Sequence, residues 1–133
     1  MPRRLPEPSD ELDAIARETI GAAIEVHRVL GPGFLESIYE EALCVELTGR
    51  CLPFERQVPV AIEFKSRIVG QARLDLVVAD QLIVELKAVD HLLPIHTAQL
   101  VSYLGAMQRP LGLLINFRVP VLRTGIRRVV RSF

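Results

Sequence analysis

Apolar residues recur at three- and four-residue steps from Leu12 through Ile15, Ala16, Ile20, Ala23, Val26 and Leu30, with Glu11, Asp13, Arg17, Glu18, Glu25 and Arg28 mostly on the other side. That spacing predicts an amphipathic helix of about five turns, capped at its start by Ser9 or Asp10. Gly31-Pro32-Gly33 ends it, because glycine suits the position after a helix and proline cannot continue one. A second helix is expected from about Phe34 to Leu47, ending at Thr48-Gly49. Glu36, Tyr39 and Leu43 share one of its faces, being three and four residues apart.

The period then falls to two. Val58, Val60, Ile62 and Phe64 alternate along a strand from Phe54 to Phe64, and Pro59 suggests an edge or a bulge. Lys65-Ser66 turns the chain, Arg67 to Val78 returns, Ala79 to Gln81 turns again, and Leu82 to Lys87 forms a third strand. Leu74, Leu76 and Val78 are expected on one face against Leu82, Val84 and Leu86, with Val77 and Ile83 on the other. After a linker, Asp90 to Pro94, a third helix runs from about Ile95 to Met107. The apolar run Leu111 to Phe117 then reads as a buried strand, parallel to its neighbour through the helical crossover. Thr124 to Val130 is the last strand. Residues 1–8 form a proline-containing lead-in, and 9–133 are expected to fold as one domain of order α-α-β-β-β-α-β-β, helices packed on a central mixed sheet.

The chemistry concentrates in Arg73 to Lys87, RLDLVVADQLIVELK. Glu85 and Lys87 point the same way from one strand. If the turn centres on Asp80, Asp75 faces Glu85 directly; a one-residue slip sends it to the opposite face. Two opposed carboxylates repel, and a hard cation such as Mg²⁺ or Mn²⁺ would relieve the repulsion. An exposed hairpin carrying ordinary charges is the competing account. Glu36, in the first turn of its helix, can equally serve the helix dipole. On the third helix His96, Gln99, Leu100 and Tyr103 lie on one side, and the polar heads of Gln99 and Tyr103 could reach the acids or a phosphate.

Half the residues are hydrophobic and 24% charged, as in soluble globular proteins. No apolar run approaches the ~20 residues that span a bilayer, and MPRRLPEPSDEL lacks the apolar stretch of a secretory signal; a cytoplasmic protein is expected. Cys44 and Cys51 read as ordinary thiols. Formal charge is zero, but every acid lies at or before Asp90, whereas Arg109, Arg118, Arg123, Arg127, Arg128 and Arg131 follow it. Such a basic end could meet phosphates or neutralise the acidic half.

Gly33 to Tyr39, GFLESIY, matches the name-giving motif of the bacterial GxxExxY proteins, and the resemblance continues through DLVV, VELKAV, HTAQLVSYL and LLINF, nearly the whole chain after the lead-in. That family is assigned to the PD-(D/E)xK nuclease superfamily. The resemblance implies a restriction-endonuclease-like α/β/α sandwich with a central mixed β-sheet and a Mg²⁺- or Mn²⁺-dependent core of Asp75, Glu85 and Lys87. Glu36 would complete the core, and the Leu86 backbone oxygen, Asp75, Glu85 and Glu36 would ligate the metal. Gln99 and Tyr103 resemble the QxxxY element of RecB-like exonucleases and, with Tyr39, would contact substrate. His27 is a further candidate ligand by the same likeness, set against a structural role for a helix-face histidine. Leu74 departs from the family pattern, standing where a proline precedes the first acid. The implied partner is nucleic acid, DNA ahead of RNA. The rival reading is a non-catalytic nucleic-acid-binding or protein-interaction module of the same fold, serving a homodimer or a heteromeric assembly.

Overall fold

The computed structural model describes residues 8–132; the lead-in, apart from Pro8, lies outside the described residues. Helix α1 (Asp10–Leu30) starts where Ser9 Oγ accepts a hydrogen bond from the Leu12 amide at 3.1 Å, leaving Asp10, Glu11 and Asp13 in the first turn to meet the positive end of the helix dipole. It ends at Gly31, whose φ of 74° falls where a side chain would be strained. Helix α2 (Glu36–Gly49) follows, and the sheet is then built from β1 (Phe54–Phe64), β2 (Arg67–Val78) and β3 (Leu82–Lys87). Helix α3 (Pro94–Met107) crosses to β4 (Leu111–Asn116), and β5 (Ile126–Val130) closes the chain. The order is the expected α-α-β-β-β-α-β-β. Thr124 falls instead in a 3-10 turn, Leu122–Gly125, so the last strand begins two residues late. Gly125 sits there because a Cβ would stand 2.3 Å from the Asn116 carbonyl oxygen.

The strands lie in the order β1-β2-β3-β4-β5, and only β3 and β4 run parallel. Both hairpin turns, the two-residue Lys65-Ser66 and the three-residue Ala79 to Gln81, have two consecutive residues with positive φ, a conformation whose twist suits a tight hairpin. One face of the sheet packs under α1 and α2 through Leu76, Val78, Leu82, Val84, Leu86, Leu113 and Ile115. The other packs under α3, where Val77, Ile83 and Leu114 meet Leu100 and Leu104. The result is a three-layer sandwich.

Alternation holds along β3 and β4 and fails at one place. Leu74 belongs with the α3 cluster, not with Leu76 and Val78. The expectation that all three share a face is therefore corrected. The β1–β2 pairing runs Arg56↔Leu76 and then Val58↔Leu74, skipping Gln57 and Asp75, and Gln57 has a φ of 49°. The left-handed residue of β1 thus stands opposite the point where β2 changes face.

Tyr39 also differs from expectation. It is fully buried, its ring stacked on Phe117 with centroids 4.4 Å apart. Its hydroxyl donates to the Gly31 carbonyl at 2.5 Å and accepts from the Phe34 amide at 3.1 Å, bridging the Gly-Pro-Gly turn. A side chain so enclosed holds α2 against α1 and has no surface left for a substrate. Of the C-terminal arginines, Arg128 pairs with Asp13 of α1 and Arg118 lies 3.7 Å from Asp90, so part of the basic end neutralises acids of its own chain.

Tyr39→Phe should lower unfolding free energy by about 1–2 kcal/mol, since two hydrogen bonds at the turn are lost while the ring is kept. Tyr39→Ala should cost about 3–5 kcal/mol through the cavity. Urea denaturation followed by circular dichroism measures both; a Phe variant as destabilised as the Ala variant would contradict this division.

Candidate active site

Register sets the site. Val77 pairs with Ile83 and Leu76 with Val84, so Asp75 and Glu85 come next on β2 and β3, but the backbone ladder ends before them. Side chains take over in the gap. The Asp75 amide donates to Glu85 Oε1 at 3.1 Å, and the Leu86 amide donates to Asp75 Oδ2 at 2.9 Å. Each acid thus caps the backbone of the strand opposite. Because a strand residue points its N–H and C=O to the same side, the Leu86 carbonyl faces this gap as well.

The two carboxylates also act on each other. Glu85, only 7% exposed, is pushed up to about 8, first by burial and then by the charge of Asp75. Asp75 is also raised, chiefly by burial and further by Glu40, while the Leu86 amide opposes the rise. Lys87, two residues beyond Glu85 on the same side of β3, favours the charged form of both. Glu36, exposed at the start of α2, is raised by partial burial and next by Asp75, which puts it within electrostatic range of the pair.

A divalent cation suits this pair. It would offset the charge on two hard oxygen donors held in one gap, and Mg²⁺ is commonly held by only one or two carboxylates with water and phosphate completing its shell. Among the described residues no three His, Cys, Asp or Glu side chains converge as a metal cage. Glu36 therefore stands near Asp75 and Glu85 without closing a three-carboxylate cage.

A sequence model of the PD-(D/E)XK nuclease superfamily matches residues 13–129. The chain belongs to that superfamily. Its five-stranded mixed sheet between helices agrees with the restriction-endonuclease-like fold. No curated protein matches the chain, and no solved structure does.

Among the described residues, none of the other side chains singled out in the sequence shares a hydrogen bond with the acid pair of this PD-(D/E)XK chain. Gln99 is exposed on α3, and Tyr103 is half-buried against the α3 cluster; among the described residues no hydrogen bond joins either to the acids. His27 is buried, with Nε2 2.8 Å from the Val119 carbonyl, tying α1 to the segment after β4. His96 Nδ1 accepts from the Leu93 amide at 3.0 Å and closes the start of α3. Three neighbours of the site escaped sequence reasoning. Glu40 is buried one turn beyond Glu36 and acts electrostatically on Asp75 and Glu36. Gln57 donates to it at 2.7 Å. Asn116, 2% exposed, accepts from the Val89 amide at 3.0 Å and donates to the Val89 carbonyl at 2.8 Å, holding the chain just beyond Lys87. The four-residue step from Glu36 could have exposed Glu40, and a lone polar residue ending LGLLIN could have exposed Asn116; Gln57 gave no signal.

The raised carboxylates make stability depend on pH. Glu85 folded near 8 against 4.5 unfolded means that the native state holds the extra proton between those values, so stability is full below about pH 4.5 and declines as pH rises through about 8. Asp75 contributes with the same sign. In EDTA, urea unfolding should show a loss on the order of a few kcal/mol across that window, much of it removed in Glu85→Gln. A flat or rising profile would show that the pair is not strained.

Proposed function

We propose that this PD-(D/E)XK chain is a Mg²⁺- or Mn²⁺-dependent nuclease hydrolysing phosphodiester bonds, with DNA ahead of RNA as substrate. The observation that carries this reading is the juxtaposition of the Asp75 and Glu85 carboxylates in the gap between β2 and β3, each anchored by a backbone amide of the opposite strand. Asp75, Glu85 and the Leu86 carbonyl would hold the cation. Bound there, it would supply Lewis acidity toward the phosphate and lower the pKa of attacking water.

The chain's own groups do the rest. The two backbone amides fix one oxygen of each acid, so the pair is pre-oriented rather than assembled on binding. Lys87, on the same side as Glu85, offsets negative charge and can donate hydrogen bonds to a phosphate oxygen or to the water. Glu36, exposed at the rim and within range of Asp75, can accept a proton or a water hydrogen bond, its raised affinity for protons suiting that task. Gln99 and Tyr103, one turn apart on α3, would steady the backbone of a bound strand.

A specific surface feature favours a second reading, a non-catalytic interaction module. Helix α2 is apolar on two sides. Tyr39, Leu43 and Leu47 face inward, while Leu35 before its first turn, Ile38 and Val45 are exposed. Such an outer stripe suits a protein partner.

Titration calorimetry with Mn²⁺ separates the two. The nuclease reading expects binding heat that vanishes in Asp75→Ala, and metal-dependent cleavage of labelled DNA that falls by roughly 10²-fold or more in Lys87→Ala with the fold retained. Absence of heat in the wild-type protein, or undiminished cleavage by Lys87→Ala, would remove it.

A further inference from the structure

Glu40 has no part in the reading just given, yet it is a buried carboxylate on α2 whose residue is only 9% exposed. Two consecutive β1 side chains close on it. Gln57 Nε2 donates to one oxygen at 2.7 Å and Arg56 Nη2 to the other at 2.8 Å, and the same guanidinium nitrogen reaches Glu41 at 2.9 Å. A buried ion pair is poor support for stability, because desolvation offsets much of the attraction. Its geometry is informative.

Gln57 is where β1 leaves the regular pleat. Its φ of 49° is left-handed, a conformation that costs a residue with a Cβ roughly 1–2 kcal/mol. Pairing with β2 skips this residue, and the position opposite the skip is Asp75. On either side of Asp75 the strand presents Leu74 to the α3 cluster and Leu76 to the α1–α2 cluster. Without a kink, two residues an even number apart would share a face. The strained residue is thus held by a contact from the helix that also carries Glu36, and it sits across from the acid whose backbone amide binds Glu85.

We infer that Glu40 and Gln57 form a positioning contact that holds the β1 kink in place and thereby keeps Asp75 turned toward Glu85. Its consequence for cleavage rests on the nuclease reading above; its geometric consequence does not. Arg56 offsets the charge of Glu40, so that a second buried carboxylate can be brought to this end of the sheet. Because Glu36 lies one turn earlier on α2, the same contact ties the helix acid to the strand acids.

Gln57→Gly tests the contact cleanly, since it removes the amide while relieving the left-handed backbone, and Gln57 lies on the surface. Amide hydrogen exchange is the first readout. The Asp75 and Leu86 amides, which donate to the acid pair, should exchange roughly tenfold faster, while the Ile83 and Leu114 amides and the unfolding midpoint stay as in the wild type. Gln57→Ala, which loses the amide but keeps the backbone demand, should speed the same two amides and also lower the unfolding midpoint. With Mn²⁺ present, kcat should fall on the order of tenfold with KM held within about twofold, as expected of misplaced rather than missing groups. Wild-type exchange at Asp75 and Leu86 in Gln57→Ala would overturn the positioning role whatever the activity. A wild-type protein that neither binds Mn²⁺ nor cleaves would instead overturn the nuclease reading, and the exchange comparison would still decide the contact.

Discussion

Two carboxyl groups confined between diverging strands dominate this molecule. Asp75 and Glu85 each satisfy a backbone amide that would otherwise have bonded to the neighbouring strand's carbonyl, so the sheet exchanges two ladder bonds for a pair of acids. Burial drives both toward protonation, and the charge of Asp75 adds to it at Glu85 as that of Glu40 does at Asp75. The cost is borne by the packing around them. Leu74, Leu76, Val84 and Leu86 are fully buried beside the gap, so opening it further would expose apolar surface on both faces of the sheet.

The helical layer is organised by the same demand. Helix α2 must present Glu36 near the acids and yet stay docked, and Tyr39 does the docking by stacking on Phe117 and bridging the turn before α2. On the strand side Asn116 clamps the segment that follows Lys87. The acids and Lys87 thus stand on helix and strand positions whose neighbours are locked, and groups fixed in this way reorganise little.

The strand and helix boundaries were legible because the periods were clear. Val77 and Ile83 opposed Leu76, Val78, Leu82, Val84 and Leu86 as alternation requires, and the turn at Ala79-Asp80 left the expected pairs in register. The acid pair was legible for the same reason, since register alone brings Asp75 across from Glu85. Leu74 escapes the alternation because β2 changes face at Asp75, opposite a left-handed Gln57 that precedes Leu74 by seventeen positions in sequence, and glutamine gives no hint of left-handed geometry. Tyr39 was misread for a different reason: helical spacing put it beside Glu36 on paper, whereas side chains three apart still diverge enough for one to enter the core and the other to stay at the rim.

The kink in β1 has a consequence at the margin of the sheet. β1 is a terminal strand, and its outer row of amides and carbonyls is broken at Gln57 and again at Pro59, which has no N–H to offer. A foreign strand laid along that border would lose register within a few residues, so the irregularity that shapes the interior also makes the molecule a poor template for fibrous self-association.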